Sequence, residues 1–411
     1  MNKQYRPLLA LLALAVALLA CAVPPITGAP TISPDTVSTV VALTFQALTP
    51  PSEGGETPEP EPEPVAGLLP HSLYYLGTDN AGLTQVFRIE RDATTRNQVT
   101  TETVNVLDYG VSPVDGSVAY VIENQLLLVN SDGSGRRLLV EGETIDVNNP
   151  FVNRISSPVF SPNGQTLAYS YRGLNLYALS TGVNNLVLEN DTEDMSGGIV
   201  FPNELYVPEK YSPDGSKLLI TLAYYEGASA AIYYPDSKTL VRLSGAEGAF
   251  ICCGDANWSD DSTTLYSANP SMGMFSSGMW RVDAATGAVT TLLPGEAGDG
   301  TFNIPDEPIL APDGQLYFFY AKVAAPEGFV TRPPVQLVSS APDGVTNRTV
   351  VRDTTFDMMN ESLWAPDATF VIVASAPVPD VYQGGRAEIV YLDGRPNVEL
   401  ATFAQQMEWG P

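Results

Sequence analysis

The sequence predicts an all-β fold, a closed ring of repeated four-stranded units, and three observations predict it. Between Gly67 and Pro411, runs of four to eight residues rich in β-branched and aromatic side chains are broken by Gly, Pro, Asn and Asp, with no long helical period. A short turn motif recurs, with its first residue at 112, 161, 212, 259, 311 and 365, at spacings of 49, 51, 47, 52 and 54 residues. That is the length of a four-stranded blade. The chain ends in Met407-Glu408-Trp409-Gly410-Pro411, which imitates the opening of another such unit. The fold expected is a seven-bladed β-propeller, with six or eight blades as alternatives.

From the N-terminus, residues 1–20 read as an export signal. Lys3 and Arg6 precede an apolar run from Leu8 to Ala20, within the range of a signal-peptide core and too short for a membrane-spanning helix. The run ends in Leu18-Leu19-Ala20-Cys21, which resembles the lipobox of bacterial lipoproteins. Cys21 is therefore the expected lipidation site, and buried acyl chains at about 0.8 kcal/mol per CH₂ would hold the protein to a membrane.

Residues 21–66 form a Pro/Thr/Glu-rich linker ending in Thr57-Pro58-Glu59-Pro60-Glu61-Pro62-Glu63-Pro64. Alternating Pro and Glu cannot build a core and favours an extended polyproline II chain, whose reach here is on the order of 100 Å. Within it, Val37, Val40, Val41, Phe45 and Leu48 fall at helix-like spacing after Asp35. A docking helix and a short apolar patch both fit that island.

Residues 67–411 carry the repeat. Ser212-Pro213-Asp214-Gly215 has edited copies at Ser112-Pro113-Val114-Asp115-Gly116, Ser161-Pro162-Asn163-Gly164, Ser259-Asp260-Asp261-Ser262, Ala311-Pro312-Asp313-Gly314 and Ala365-Pro366-Asp367-Ala368. Pro with its preset φ, then Asp, then Gly suits a type I turn closing a hairpin. The residue ahead of each marker is apolar: Val111, Phe160, Tyr211, Trp258, Leu310 and Trp364. Each is placed to wedge between blades. Because Leu73–Leu76 and Val86–Ile89 look like second and third strands lacking a first, the C-terminal strand is expected to complete that blade and leave no open edge.

These aromatic-Ser-Pro-Asp-Gly units resemble the WD40-like, TolB-type β-propeller repeat (PD40) over nearly all of residues 67–411. The resemblance is specific for the fold and less so for function. It is similar in the same way to the propellers of prolyl-oligopeptidase relatives, whose hydrolase domain this chain lacks.

Connections within and between blades alternate between two faces of the ring. First-to-second and third-to-fourth turns are short, whereas the others are long: 141–156, 190–209, 245–257, 269–278, 295–308, 323–334 and 377–386. Recognition is expected on the long-loop face. Its candidate residues are Tyr171, Arg172, Tyr224, Tyr225, Phe250, Asp255, Phe275, Tyr382 and Arg386, with Met272, Met274, Phe329, Met358 and Met359 beside them. Aromatic rings with a few polar groups suit a protein partner or a sugar.

The composition excludes much. With 20 basic and 47 acidic residues the net charge is -27, which disfavours nucleic acid and anionic lipid head groups. His71 is the one histidine, so a Ser-His-Asp triad has no second source of imidazole. No His/Cys metal spacing appears, and no metal or cofactor is expected. Acidic clusters at Asp191–Asp194 and Asp255–Asp261 lack EF-hand spacing. After Cys21, Cys252 and Cys253 remain, either as a strained vicinal disulfide or as two thiols. The leading expectation is a membrane-anchored extracytoplasmic lipoprotein whose propeller binds an envelope protein or glycan. An envelope carbohydrate hydrolase with channel-mouth carboxylates, and a structural or assembly scaffold, are the alternatives.

Overall fold

A computed structural model of the chain describes residues 67–225, 227–246, 249, 251, 256–270, 276–324 and 332–411. The export signal, Cys21, the linker, Phe250, Cys252, Cys253, Asp255, Met272, Met274, Phe275 and Phe329 lie outside the described residues. Among those described the protein is almost wholly β, with one four-residue helix, α1 (Pro150–Asn153). No helix there is long and apolar enough to cross a membrane.

The strands fall into successive antiparallel groups. The first is β1 (Leu73–Thr78), β2 (Thr84–Ile89) and β3 (Arg96–Gln98); the second is β4 (Asp108–Val111), β5 (Val118–Ile122), β6 (Gln125–Val129) and β7 (Arg137–Glu141). Then come β8 (Ser156–Phe160), β9 (Thr166–Ser170), β10 (Gly173–Ala178) and β11 (Val183–Glu189). The next sheet holds β12 (Asp191–Met195), β13 (Ile199–Tyr211), β14 (Leu218–Tyr224), β15 (Gly227–Tyr234) and β16 (Thr239–Arg242). It is followed by β17 (Ala256–Trp258), β18 (Thr264–Asn269), β19 (Gly278–Asp283) and β20 (Val289–Pro294). The last groups are β21 (Thr301–Leu310), β22 (Leu316–Ala324), β23 (Val335–Ser340) and β24 (Thr349–Phe356), then β25 (Met359–Trp364), β26 (Phe370–Ser375), β27 (Gly385–Tyr391) and β28 (Val398–Trp409).

β28 does two jobs. Its first half pairs with β27, as in Ile389↔Val398 and Gly385↔Ala404, and its second half pairs with β1, as in Leu73↔Trp409 and Tyr74↔Glu408. One seven-stranded sheet thereby joins the two ends of the body. Gly410 stands where other units carry Ser or Ala because a Cβ there would lie 2.5 Å from the Tyr74 ring.

Each central strand is buried on both faces, which is why it reads as an unbroken apolar run rather than an alternating one. In β5, Val118, Tyr120 and Ile122 pack with β1 and β2 residues, while Ala119 and Val121 pack with Phe160, Leu167 and Tyr169 of the next group. The same alternation repeats around the body. Among the described residues, seven apolar clusters each draw on two successive groups, and one of them joins the last to the first through Leu73, Ile89, Ile372, Ile389 and Met407. The residues ahead of the markers, Phe160, Tyr211, Trp258 and Trp364 among them, sit in these clusters as wedges.

The turn motif works as its chemistry requires. Gly215 N–H donates to Ser212 O at 2.8 Å, and Gly215 has φ +72°. Asp214 Oδ1 accepts from Ser216 N–H at 2.9 Å and from the Ser212 hydroxyl at 2.6 Å. Asp or Asn does the same for the amide two residues on in the other copies, at Asp115, Asn163, Asp261, Asp313 and Asp367. Ser262 and Ala368 replace glycine yet keep positive φ, at +60° and +53°.

Two of the expected irregular loops are strands. The 190–209 stretch is a β-hairpin of β12 and the start of β13, held at its tip by Asn149, whose amide bonds Gly198 O and Val200 N–H. Most of 295–308 belongs to β21, paired with β22 from Thr301↔Ala324 onward.

Candidate functional site

The innermost strands β4, β8, β13, β17, β21, β25 and the second half of β28 surround a cavity of about 680 Å³. Its rim includes Pro113, Pro162 and Pro366 of the turn motifs, so it opens on the short-turn face. Phe160, Tyr211, Trp364 and Trp409 give it aromatic walls. Deeper lie Glu209, Glu307, Glu361 and Glu408, with Lys210 the basic residue among the lining residues.

The carboxylates are positioned by bulges in these inner strands. Pairing slips in β8, β13, β21, β25 and β28 at the same level, and Ser157, Glu307 and Gln406 take φ of +54°, +48° and +51° there. A bulge releases backbone N–H groups from the ladder. Neighbouring carboxylates collect them. Asp108 Oδ2 accepts Ser157 N–H at 2.6 Å, Glu361 accepts Gln406 N–H at 2.9 Å and also Met407 N–H, and Glu408 Oε2 accepts Val111 N–H at 2.9 Å. The Tyr109 hydroxyl donates to Gln406 O.

Withdrawal from bulk water dominates the acidity of this group. It pushes Glu408 up to about 8, with Asp108 and Glu361 adding to the rise while the Val111 amide and Lys210 oppose it. Asp108 is raised to about 6 by the same burial, against the Ser157 and Tyr109 amides. Glu361 is raised too, and burial lifts the Tyr109 phenol well above its ordinary value. Lys210 Nζ donates to Ala256 O at 3.2 Å and Asn257 Oδ1 at 3.1 Å.

The sequence shows the position of three of these residues and not their pairing. Asp108, Glu307 and Glu361 each stand four residues before a marker, a periodic acidic position that the turn motif itself indexes.

The residues expected to recognise a partner lie on the opposite face, in β9–β10, β14–β15 and β26–β27 connections. Tyr171 is half-buried, its hydroxyl accepting Glu143 N–H at 3.2 Å, and Arg172 pairs with Glu143. Those two therefore tie the β9–β10 turn to the connection between β7 and β8. Tyr224 reaches Glu204 at 3.4 Å, and Glu204 is clamped by both terminal nitrogens of Arg242 at 2.6 Å. Tyr225 is 65% exposed and stacks on Phe201 of the hairpin with centroids 5.0 Å apart. Tyr382, also 65% exposed, lies under Arg332 at 4.7 Å. Arg386 pairs with Glu388 and with Glu399. Met359 is a correction: it is buried with Phe319, Phe356 and Trp364 and belongs to the core. Val147, Met195, Ile199 and Val378 are exposed on the same long-connection face. Among the described residues no group of three or more His, Cys, Asp or Glu could hold a metal ion.

No family model and no curated protein matches the chain. Solved structures do. A prolyl endopeptidase structure is similar over 92% of this chain and 57% of its own, at 14% identity and a TM-score of 0.50. TolB from Acinetobacter baumannii is similar over 84% of this chain and 68% of its own, at 15% identity and a TM-score of 0.43. A TolB from Agrobacterium tumefaciens matches 75% of this chain and 99% of its own, at 18% identity and a TM-score of 0.41. What the first of these shows is the fold, and the fold is a β-propeller.

Proposed function

We propose that the chain is a lipid-anchored extracytoplasmic protein whose seven-bladed propeller binds a protein or glycan of the cell envelope without acting on it chemically. The blade count follows if the seven-stranded sheet is taken as two blades sharing β28. The observation that carries the binding reading is the long-connection face, where Val147, Met195, Ile199, Tyr225, Val378 and Tyr382 are all exposed. Exposed apolar and aromatic side chains mark interaction surfaces, and the short-turn face has fewer of them, Val114, Val183 and Val345. The address rests on Leu18-Leu19-Ala20-Cys21 and the stalk that follows. Fractionation of cells carrying Cys21→Ser tests the anchor: release to the soluble fraction supports it, and retention in the membrane contradicts it. Co-purification of the full chain with and without Tyr225→Ala/Tyr382→Ala tests the face.

A second reading, hydrolysis of an envelope carbohydrate, is favoured by the channel carboxylates. Glu361 and Glu408 already accept backbone N–H groups of neighbouring strands, a duty that holds the ring together. That places the binding reading first.

A further inference from the structure

We propose that the free edge of β12, on the long-connection face, takes up an extended lysine- or arginine-rich segment of a partner protein as an added strand. The proposal rests on the reading of that face as the recognition surface and names the chemistry of what binds there. Among the described residues β12 ends its sheet, pairs with β13 alone, and is exposed at all five of its residues. β14 joins β13 only from Leu205 onward, so the β12–β13 hairpin beyond that point is two-stranded. A third strand is what such a hairpin lacks for stability of its own.

The register shows which backbone groups the edge offers. Val200 N–H is taken by the Asn149 side chain and not by Asp194 opposite it, and Pro202 has no N–H to give Thr192 opposite it. Both are therefore non-hydrogen-bonded pairs, and Thr192 and Asp194 direct their own N–H and C=O groups away from β13. Among the described residues nothing takes these groups up. The far edge of β13 is instead occupied by Asn149, at Gly198 O and Val200 N–H. Charge then selects the occupant. Asp191, Glu193 and Asp194 are exposed along the edge, and no Lys or Arg occurs from Gly173 to Glu209. A second copy of β12 would set these carboxylates against one another, so the edge is guarded against its own kind and open to a basic strand. Exposed Met195 and Ile199 and the Phe201–Tyr225 stack flank the edge and give apolar residues of an added strand a surface to cover.

Fluorescence anisotropy of the full chain with a labelled, end-capped peptide of alternating lysine and valine tests the site at low ionic strength. The controls are the same peptide N-methylated along its backbone and a glutamate–valine peptide. Saturable binding once per chain is expected, with both controls weaker by about tenfold or more. Thr192→Pro keeps every charge and removes one outward N–H, and should weaken the lysine peptide several-fold. Glu193→Lys/Asp194→Lys, at exposed positions, should do the same and serves where the proline variant fails to fold. No saturable binding, equal binding of the N-methylated peptide, or unchanged binding by a folded Thr192→Pro or Glu193→Lys/Asp194→Lys chain would each overturn the proposal. Absence of peptide binding while partner capture still depends on Tyr225 and Tyr382 would strike the added strand and leave the recognition face standing.

Discussion

Trp409 Nε1 donates a 2.8 Å hydrogen bond to the carbonyl oxygen of Trp364, forty-five residues back in the chain and one strand group away. Trp364 Nε1 does the same to Glu307 O at 2.9 Å, and Trp258 Nε1 to Lys210 O at 3.3 Å. An indole ahead of each of these turns therefore ties its inner strand to the one before it. The last strand uses the same device to close the body.

Closure makes the C-terminus structural. Deleting residues 403–411 removes the strand that pairs with β1 and opens the cluster containing Leu73, Ile89 and Met407. Loss of cooperative melting in circular dichroism is the expected outcome. Trp409→Ala alone, at a half-buried site, should cost about 2–4 kcal/mol.

The channel carboxylates give stability an unusual pH dependence. Glu408 ionises near 8 in the folded protein against an ordinary 4.5, so the folded state holds a proton that the unfolded chain has lost. Its contribution is complete below pH 4.5 and is lost as pH rises through about 8; Asp108 acts likewise between 3.8 and about 6. Melting temperature should fall from pH 5 to pH 8.5, and Glu408→Gln should flatten that slope. The turn aspartates act in the opposite sense, but their pKa values are lowered, as Ser259 and Thr263 hold Asp261 down, so they matter only at lower pH. A melting temperature that rises over this window would contradict the assignment.

Glycine at the last turn position has two separate costs of replacement. Gly314→Ala meets open space and pays only for φ +82°, about 1–2 kcal/mol. Gly116→Ala, at φ +70°, would also bring a Cβ to 2.5 Å from the Tyr74 hydroxyl, which bonds Gly116 O at 3.1 Å. Chemical denaturation should rank Gly116→Ala as clearly the more damaging.

Substitution on the long-connection face should separate stability from recognition. Tyr225→Ala and Tyr382→Ala remove exposed rings and should each change stability by about 1 kcal/mol or less. A larger loss would mean that the Phe201 stack or the Arg332 contact is a folding element.

Much of this architecture is legible in the sequence because turn chemistry is local. Asp214 caps the amide two residues on wherever the chain lies, so the motif marks each hairpin before any packing is known. The double duty of β28 is legible too, since Trp409-Gly410 repeats the start of a unit. The channel was not. Asp108, Glu361 and Glu408 acquire their roles by accepting N–H groups of a neighbouring inner strand some 45 to 300 residues away, freed by a bulge in β8 and β28, and no local pattern displays that pairing. The β12–β13 hairpin is hidden in the sequence for a related reason: Asp191, Glu193 and Asp194 carry no apolar alternation, because β12 is exposed along its whole length.

The central claim is that recognition belongs to the long-connection face. Photo-crosslinking in living cells tests it most directly, with a photoreactive residue placed in turn at Tyr225, Tyr382 and, on the short-turn face, Asp313. The account expects adducts of one defined mass from positions 225 and 382 and none from 313. Adducts from 313 alone, or none from 225 and 382 in a folded chain, would contradict it.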